Sequence, residues 1–464
     1  MAGLALLFEA VPGFSALRVI TGASDSATSA PVGVAPPVLE TGESTLEQVT
    51  TDRPELAQPE HAELPRSARG PIAKGARGPA LKIDVDSPPV PIVDPSGHAL
   101  DGFFEDVGAT LRKEPGAITR VIHFGDSIVT SDYVSATLRR KLQGELGDAG
   151  HGYMLMANAW PAYFHNDVSR FASAGWSVSR IVGPLTPDGL YGLGGVTFRA
   201  PPGSRARFGT SKTTKFGRNV SRFVVSYLEQ PGGGAMRLNL DGKQLEELST
   251  DGPAVRVREK VIRVPDGEHE LEVVTIKGTT RAFGVVMERD VPGAVLDAIG
   301  IQGARIRFLD KQDDAHFAEQ LAWRDPSLLI FQFGANESGD GFAYSMEDYH
   351  RTMKDVLMQT KRAVPKAGCL IVGAMDRAEK KGTSLATMPV IIAIVKEQRR
   401  AAEATGCAYF DTFSAMGGPG SMAAWVDRGL GQADLTHPTG SGSEVLGAWI
   451  YRALMQAYSS WAKH

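Results

Sequence analysis

Apolar positions at Leu100, Phe103, Phe104, Val107 and Leu111 recur at helical spacing, and the run Val121-Ile122-His123-Phe124 that follows is β-branched and aromatic. The first pattern predicts a short amphipathic helix; the second predicts a buried strand that breaks at Gly125. Val134, Leu138, Leu142 and Leu146 then repeat every four residues, which predicts another helix. Ser127 therefore falls at a strand-to-helix junction. Over residues 167–290 the period changes to two: Phe223, Val225 and Tyr227 alternate with Val224, Ser226 and Leu228. Met236, Leu238 and Leu240 run into the turn pair Asp241-Gly242, and Val261 to Val264, Asp266-Gly267 and Leu271 to Ile276 read as a hairpin. Short strands with Gly-rich connections predict an all-β sandwich. Beyond Val291 strand and helix alternate again. Strands are expected at Ala294 to Ile299, Leu328 to Phe333, Cys369 to Met375 and Ala408 to Asp411. Helices are expected near Tyr349 to Arg362, Pro389 to Ala404, and through Val445, Leu446, Ile450, Leu454 and Trp461. Near-continuous apolar strands alternating with helices predict a parallel sheet covered on both faces.

Residues 21–96 carry no such period. They are dense in Pro, Ala, Ser, Thr, Glu and Gly, and read as a disordered linker that buries too little apolar surface to offset its ordering entropy. Residues 1–20 are apolar and small but interrupted by Glu9 and Pro12, and read as a signal or anchor remnant. The expected organisation is thus a first α/β piece at 97–166, an inserted β module at 167–290 and a second α/β piece at 291–464.

Composition narrows the function. With 42% hydrophobic residues, the chain of 464 can build a sizeable core. A net charge of −4 argues against nucleic acid, which demands a concentrated basic surface. The only two cysteines, Cys369 and Cys407, lie in apolar strand-like runs, so they are expected as small buried core residues without a disulfide framework or a Cys-rich metal site. His151 and His165 have no carboxylate or His partner at ligand spacing, so neither metal nor cofactor is expected.

The candidate chemistry sits at strand ends. In open α/β sheets ligands bind beyond the carboxyl ends of the strands. Ser127, Gly303 and Asn336 all follow such ends. A Gly-Asp-Ser turn can simply cap a helix; a hydroxyl placed there can also develop negative charge facing unpaired N–H groups. Near the C-terminus, Asp434-Leu435-Thr436-His437 puts a carboxylate three residues before an imidazole, where a turn can bring the two together. Serine needs such a base because its protonated hydroxyl is a poor nucleophile. Aromatics after the first helix, with His151, Trp160 and Tyr163 as candidates, either line a sugar-stacking groove or pack the core.

Gly-Asp-Ser at 125–127, the glycine at 303, Gly-Ala-Asn at 334–336 and Asp-Leu-Thr-His at 434–437 resemble the four ordered blocks of the SGNH (GDSL) hydrolases. The resemblance implies a flavodoxin-like α/β/α domain with Ser127 as nucleophile, His437 as base and Asp434 as its partner. It also implies an oxyanion hole from the Ser127 and Gly303 N–H groups and the Asn336 amide, with Gly300 competing for the Gly303 role. A β-sandwich (jelly-roll-like) insertion between the first two blocks is similar to bacterial peptidoglycan O-acetylesterases carrying a carbohydrate-binding-like module, as are Gly147 to Gly152 and Met416 to Met422. The implied substrate is an O-acetylated cell-wall or extracellular polysaccharide, met in the periplasm, cell envelope or outside the cell, with no stable membrane insertion of the folded body. Two competing readings use the same chain: a polysaccharide O-acetyltransferase with the same site, and a glycan-binding protein whose α/β body is a scaffold.

Overall fold

The computed structural model describes residues 89–161 and 163–463. The expectations for residues 1–20, and for most of 21–96, lie outside the described residues. In chain order come α1 (Asp101–Leu111), β1 (Ile118–Gly125), α2 (Ser127–Thr130), α3 (Tyr133–Leu146) and β2 (Gly150–Leu155). The strands β3 (Val168–Ala172), β4 (Ser177–Arg180), β5 (Val196–Ala200), β6 (Arg205–Thr210), β7 (Val220–Glu229) and β8 (Ala235–Leu240) follow. Next are β9 (Lys243–Ser249), β10 (Arg256–Gly267), β11 (Glu270–Lys277), β12 (Thr280–Glu288) and β13 (Gly293–Gly300). The rest of the chain alternates: α4 (Asp314–Arg324), β14 (Leu328–Gln332), α5 (Ala335–Gly339), α6 (Met346–Ala363) and β15 (Gly368–Val372). A hairpin of β16 (Ala378–Lys381) and β17 (Ser384–Thr387) precedes α7 (Pro389–Thr405), β18 (Ala408–Phe410), α8 (Thr412–Met416), α9 (Ser421–Asp427) and α10 (Gly440–Trp461).

The central sheet has the order β13-β1-β14-β15-β18, and every pair in it is parallel. All residues of β1, β13, β14 and β15 are buried, as two covering helix layers require. Alternate side chains of β1 serve opposite layers. Val121 packs with Phe103, Leu138, Leu142, Ile450 and Leu454 of α1, α3 and α10. Ile122 and Phe124 belong to the cluster that holds Phe317 of α4, Leu357 of α6 and Ile394 of α7. The flavodoxin-like α/β/α body is thus present, and its edge begins earlier than residue 97: Val93 exchanges backbone hydrogen bonds with Tyr409 beside β18.

The β module is two antiparallel sheets, ordered β10-β7-β12-β5-β4 and β3-β6-β11-β8-β9. Phe198, Phe223, Phe208, Leu238 and Leu271 share one buried cluster. The Asp241-Gly242 pair turns β8 into β9 with both residues at positive φ. Two expectations are corrected. β2, placed by sequence in the α/β body, pairs antiparallel with β12, from Gly284 opposite Leu155 to Glu288 opposite Gly150. The hairpin across Asp266-Gly267 does not form: β10 pairs with β7 whereas β11 pairs with β6 and β8, so the chain crosses from one sheet to the other there. Alternation marks which side of a strand is apolar, and it does not identify the partner strand.

A buried charge cluster fastens the module to the body. Glu288 of β12 accepts hydrogen bonds from Arg120 of β1 (3.1 Å) and Arg324 of α4 (2.7 Å), and also pairs with Arg222 of β7. Arg324 in turn grips Asp297 of β13 at 2.8 Å through Nε and through Nη2. The side chains of Glu288 and the three arginines are fully buried. Burial alone would raise the Glu288 carboxyl; Arg120, Arg324 and Arg222 outweigh it and hold it well below the usual carboxylate range.

The cysteines are buried as expected, but they are bonded to each other. Cys369 of β15 and Cys407, which leads into the neighbouring strand β18, form a disulfide. No pairing could be read from two residues 38 apart in sequence, because only the adjacency of β15 and β18 brings them together. Among the described residues no helix is long and apolar enough to cross a membrane.

Candidate active site

β1 delivers Ser127 to the carboxyl edge of the sheet. At Gly125 the chain passes so close to its neighbours that a Cβ would lie 2.3 Å from Val129 Cγ2 and 2.9 Å from the Gln332 carbonyl oxygen. Only glycine fits there. Asp126 caps the turn that follows: its Oδ1 accepts from Ile128 N–H at 3.0 Å. Its Oδ2 accepts from Ala335 N–H at 3.3 Å. The capping reading of the Gly-Asp-Ser turn therefore describes Asp126, while Ser127 is left partly exposed with its hydroxyl free of that duty.

That hydroxyl meets the C-terminal segment. Ser127 Oγ lies 2.7 Å from His437 Nε2, and His437 Nδ1 lies 2.6 Å from Asp434 Oδ2. The turn at 434–437 is built for this. Leu435 adopts φ +59°, which folds the segment back so that Asp434 Oδ1 accepts from the N–H groups of Thr436 and His437, both at 3.0 Å. Burial pushes the Asp434 carboxyl up, but the donors from His437 and Thr436 outweigh it, so it titrates below the usual carboxylate range. An ionised Asp434 fixes the proton on Nδ1 and leaves Nε2 to accept from the serine. Two segments 310 residues apart in sequence thus complete one relay.

Two further turns end beside it. Gly303, at φ +78°, has open space where a Cβ would stand and is half-exposed in the loop after β13. Gly300 differs: it pairs with Gly125 inside the sheet, and a Cβ there would lie 2.2 Å from Thr130 N. Gly300 is a packing glycine under the Ser127 turn, whereas Gly303 stands in the open loop. Asn336 opens α5 after β14, and its amide Nδ2 donates to the Ala304 carbonyl at 2.9 Å. Glu337 and Arg377, which the sequence did not single out, hold the same turn. Glu337 Oε1 accepts from Ile306 N–H at 2.8 Å, and Arg377 Nη1 donates to the Ala335 carbonyl at 2.9 Å.

The expected groove over His151, Trp160 and Tyr163 is not an open one. His151 and Trp160 are buried, and Tyr163 is packed against them. His151 Nε2 and His165 Nδ1 are 3.0 Å apart, and the Tyr163 hydroxyl lies 2.8 Å from His165 Nε2. Burial lowers both imidazoles, His165 to about 4, so the chain is neutral at ordinary pH. The fold also brings up a carboxylate that sequence spacing did not reveal: ligand atoms of Asp132, His151 and His165 lie within 4.8 Å of one another. Asp132 is occupied, however, by a bidentate pair with Arg139 at 3.1 and 2.9 Å and by Asn166 N–H. A guanidinium against the carboxylate and an imidazole–imidazole hydrogen bond fit a cation poorly. The exposed aromatic edge lies next door: Phe164, 47% exposed, leans against Tyr133 with ring centroids 6.3 Å apart and planes tilted by 37°, and the Tyr133 ring borders Gly440 beyond the His437 turn.

No protein-family model and no curated sequence matches the chain. Among solved structures, a peptidoglycan O-acetylesterase is similar with a TM-score of 0.68 at 22% identity, over 80% of this chain and 99% of that one. A lipase/acylhydrolase from Enterococcus faecalis gives 0.27 at 18% identity, over 35% of this chain and 77% of that one. A family two carbohydrate esterase from Cellvibrio japonicus gives 0.25 at 10% identity, over 66% and 97%. Over most of its length the chain thus shares the fold of that peptidoglycan O-acetylesterase, a parallel α/β/α body with an all-β insertion.

Proposed function

We propose that the chain is a serine ester hydrolase that removes O-acetyl groups from a peptidoglycan-like polysaccharide through an acetyl-Ser127 intermediate. The observation that carries this reading is the relay Ser127–His437–Asp434, with contacts of 2.7 and 2.6 Å, at the carboxyl edge of a parallel sheet. In the acylation step His437 Nε2 takes the Ser127 proton as Oγ bonds to the acetyl carbonyl carbon. The C–O bond to the sugar then breaks, and the sugar oxygen leaves with the proton from His437. A water molecule, deprotonated by His437 in turn, attacks the acetyl carbon, and as the bond to Ser127 Oγ breaks His437 returns the proton to Oγ and acetate leaves. Each tetrahedral intermediate carries an oxyanion, for which the Ser127 and Gly303 N–H groups and the Asn336 amide are the proposed donors.

The substrate class rests on the similar structure, a peptidoglycan O-acetylesterase. The Cys369–Cys407 disulfide supports a site of action in an oxidising, extracytoplasmic compartment. The exposed Phe164 edge, beside the partly exposed Tyr133, offers an apolar surface against which a sugar ring can rest near the His437 turn.

The test is acetate release from O-acetylated peptidoglycan and from acetylated xylan, with and without an added sugar acceptor. Release from peptidoglycan without acceptor is expected. Acetylation of the acceptor in place of release would identify a transferase, and an inert folded protein would favour a binding scaffold. Asn336→Ala is expected to lower kcat by about 10²- to 10³-fold with little change in KM, the loss typical of one oxyanion donor. Steady-state kinetics on p-nitrophenyl acetate check it; an unchanged kcat would remove Asn336 from the oxyanion hole.

A further inference from the structure

Two carboxyl groups lie buried behind the site and take no part in the relay. Asp126 is 0% and Glu337 is 1% exposed, and neither is within ion-pairing distance of a cation among the described residues. Each accepts instead from backbone N–H groups that belong to a neighbouring turn. Asp126, on the nucleophile turn, reaches Ala335 of the Asn336 turn, and Glu337, on the Asn336 turn, reaches Ile306, three residues beyond Gly303. The second oxygen of Glu337 is buried without a hydrogen-bond partner.

We infer that Glu337, backed by Asp126, is a positioning residue that locks the Gly303, Asn336 and Ser127 turns into one oxyanion-binding frame. This rests on the esterase reading above and adds to it the part that sets the donors. The contacts that join the Gly303 and Asn336 turns include Asn336 Nδ2 to the Ala304 carbonyl, Arg305 with Asp340, and Glu337 with Ile306 N–H, and Arg307 adds a longer ion pair to Asp340 at 3.9 Å. The first uses one of the two amide protons of Asn336 and leaves the other for an oxyanion. The second is a bidentate ion pair that remains partly open to solvent and its screening. The Glu337 bond is the one shielded from solvent, with Glu337 and Ile306 each 1% exposed. Keeping a carboxyl there is costly: burial raises Asp126 to about 7, with the Glu337 charge adding to it, and burial raises Glu337 to about 6. An apolar residue would pack the same volume at no such cost, but it would leave the Ile306 N–H unpaired and the Gly303 turn loose.

The experiment compares wild type, Glu337→Ala and Glu337→Gln on p-nitrophenyl acetate, each at a temperature below its own unfolding transition. Glu337→Ala is expected to lower kcat by about 10- to 100-fold with KM changed by less than about threefold, because a displaced donor costs in the transition state alone. Glu337→Gln keeps an oxygen that accepts from Ile306 N–H and is expected to recover kcat to within about fivefold of wild type. If Glu337→Ala does not fold, Glu337→Met fills the volume without accepting a hydrogen bond and is expected to show the same loss. A wild-type kcat in the alanine or methionine variant, or a glutamine variant as impaired as either, overturns the frame while leaving the esterase reading intact. An inert wild type overturns both.

Discussion

Replacing Ser127 by alanine is expected to lower the turnover of p-nitrophenyl acetate by about 10⁴- to 10⁶-fold, with the folding transition unchanged. The magnitude follows from the relay geometry. Ser127 Oγ stands 2.7 Å from His437 Nε2 at a partly exposed position, so its removal deletes the proposed nucleophile without opening a cavity in the core. His437→Ala should fall by a similar factor, and the double variant should fall little further, since the two residues act as one unit. Residual turnover in either variant would come from the oxyanion donors and from binding. Steady-state rates, with circular dichroism as the fold control, check the set. A Ser127→Ala protein with more than a tenth of wild-type activity would place the chemistry elsewhere.

Glu288→Gln is expected to destabilise the protein by about 3 to 5 kcal/mol, the range for removing one partner from a buried ion pair. Three guanidinium groups converge on this carboxylate with no solvent to replace it. The position also couples the two parts of the fold, since Glu288 is on β12 of the sandwich and Arg120 and Arg324 belong to the α/β body. The expected readout is a lower urea midpoint for the whole protein. The sign with pH is fixed by the lowered carboxyl: a group whose folded pKa lies below its unfolded value stabilises above the unfolded pKa. That contribution is lost only as pH falls through the much lower folded value. The wild type should therefore keep this contribution down to about pH 4, and the difference between wild type and Glu288→Gln should shrink only in stronger acid. A midpoint unchanged at neutral pH would show that the cluster contributes no net stability.

What the sequence made legible was local or strand-end chemistry. Gly125, Ser127, Gly303, Asn336, Asp434 and His437 stand on turns whose neighbours announce strand ends and helix starts, and the structure brings Ser127, His437 and Asp434 into contact. What it concealed depends on non-local adjacency. β2 joins the sandwich because Tyr153 and Met154 face β12 across more than a hundred residues, and nothing in Gly150 to Leu155 names that partner. The same holds for Cys369 with Cys407, whose bond needs β18 beside β15. For His151 and Trp160 the sequence left a groove and core packing equally open, and the fold buries both. Glu337 could have been noticed as an acid adjoining Asn336; its partner Ile306 could not, because the contact spans 31 residues between two turns.

Whether Ser127 carries the acyl group is tested by rapid-quench mass analysis of the protein mixed with p-nitrophenyl acetate. A transient gain of one acetyl group is expected, mapped by peptide digestion to Ser127, absent in Ser127→Ala and longer-lived in variants that slow deacylation. An acetyl group that maps to another residue, or turnover with no acetylated protein under conditions where acylation outpaces hydrolysis, would contradict that role for Ser127.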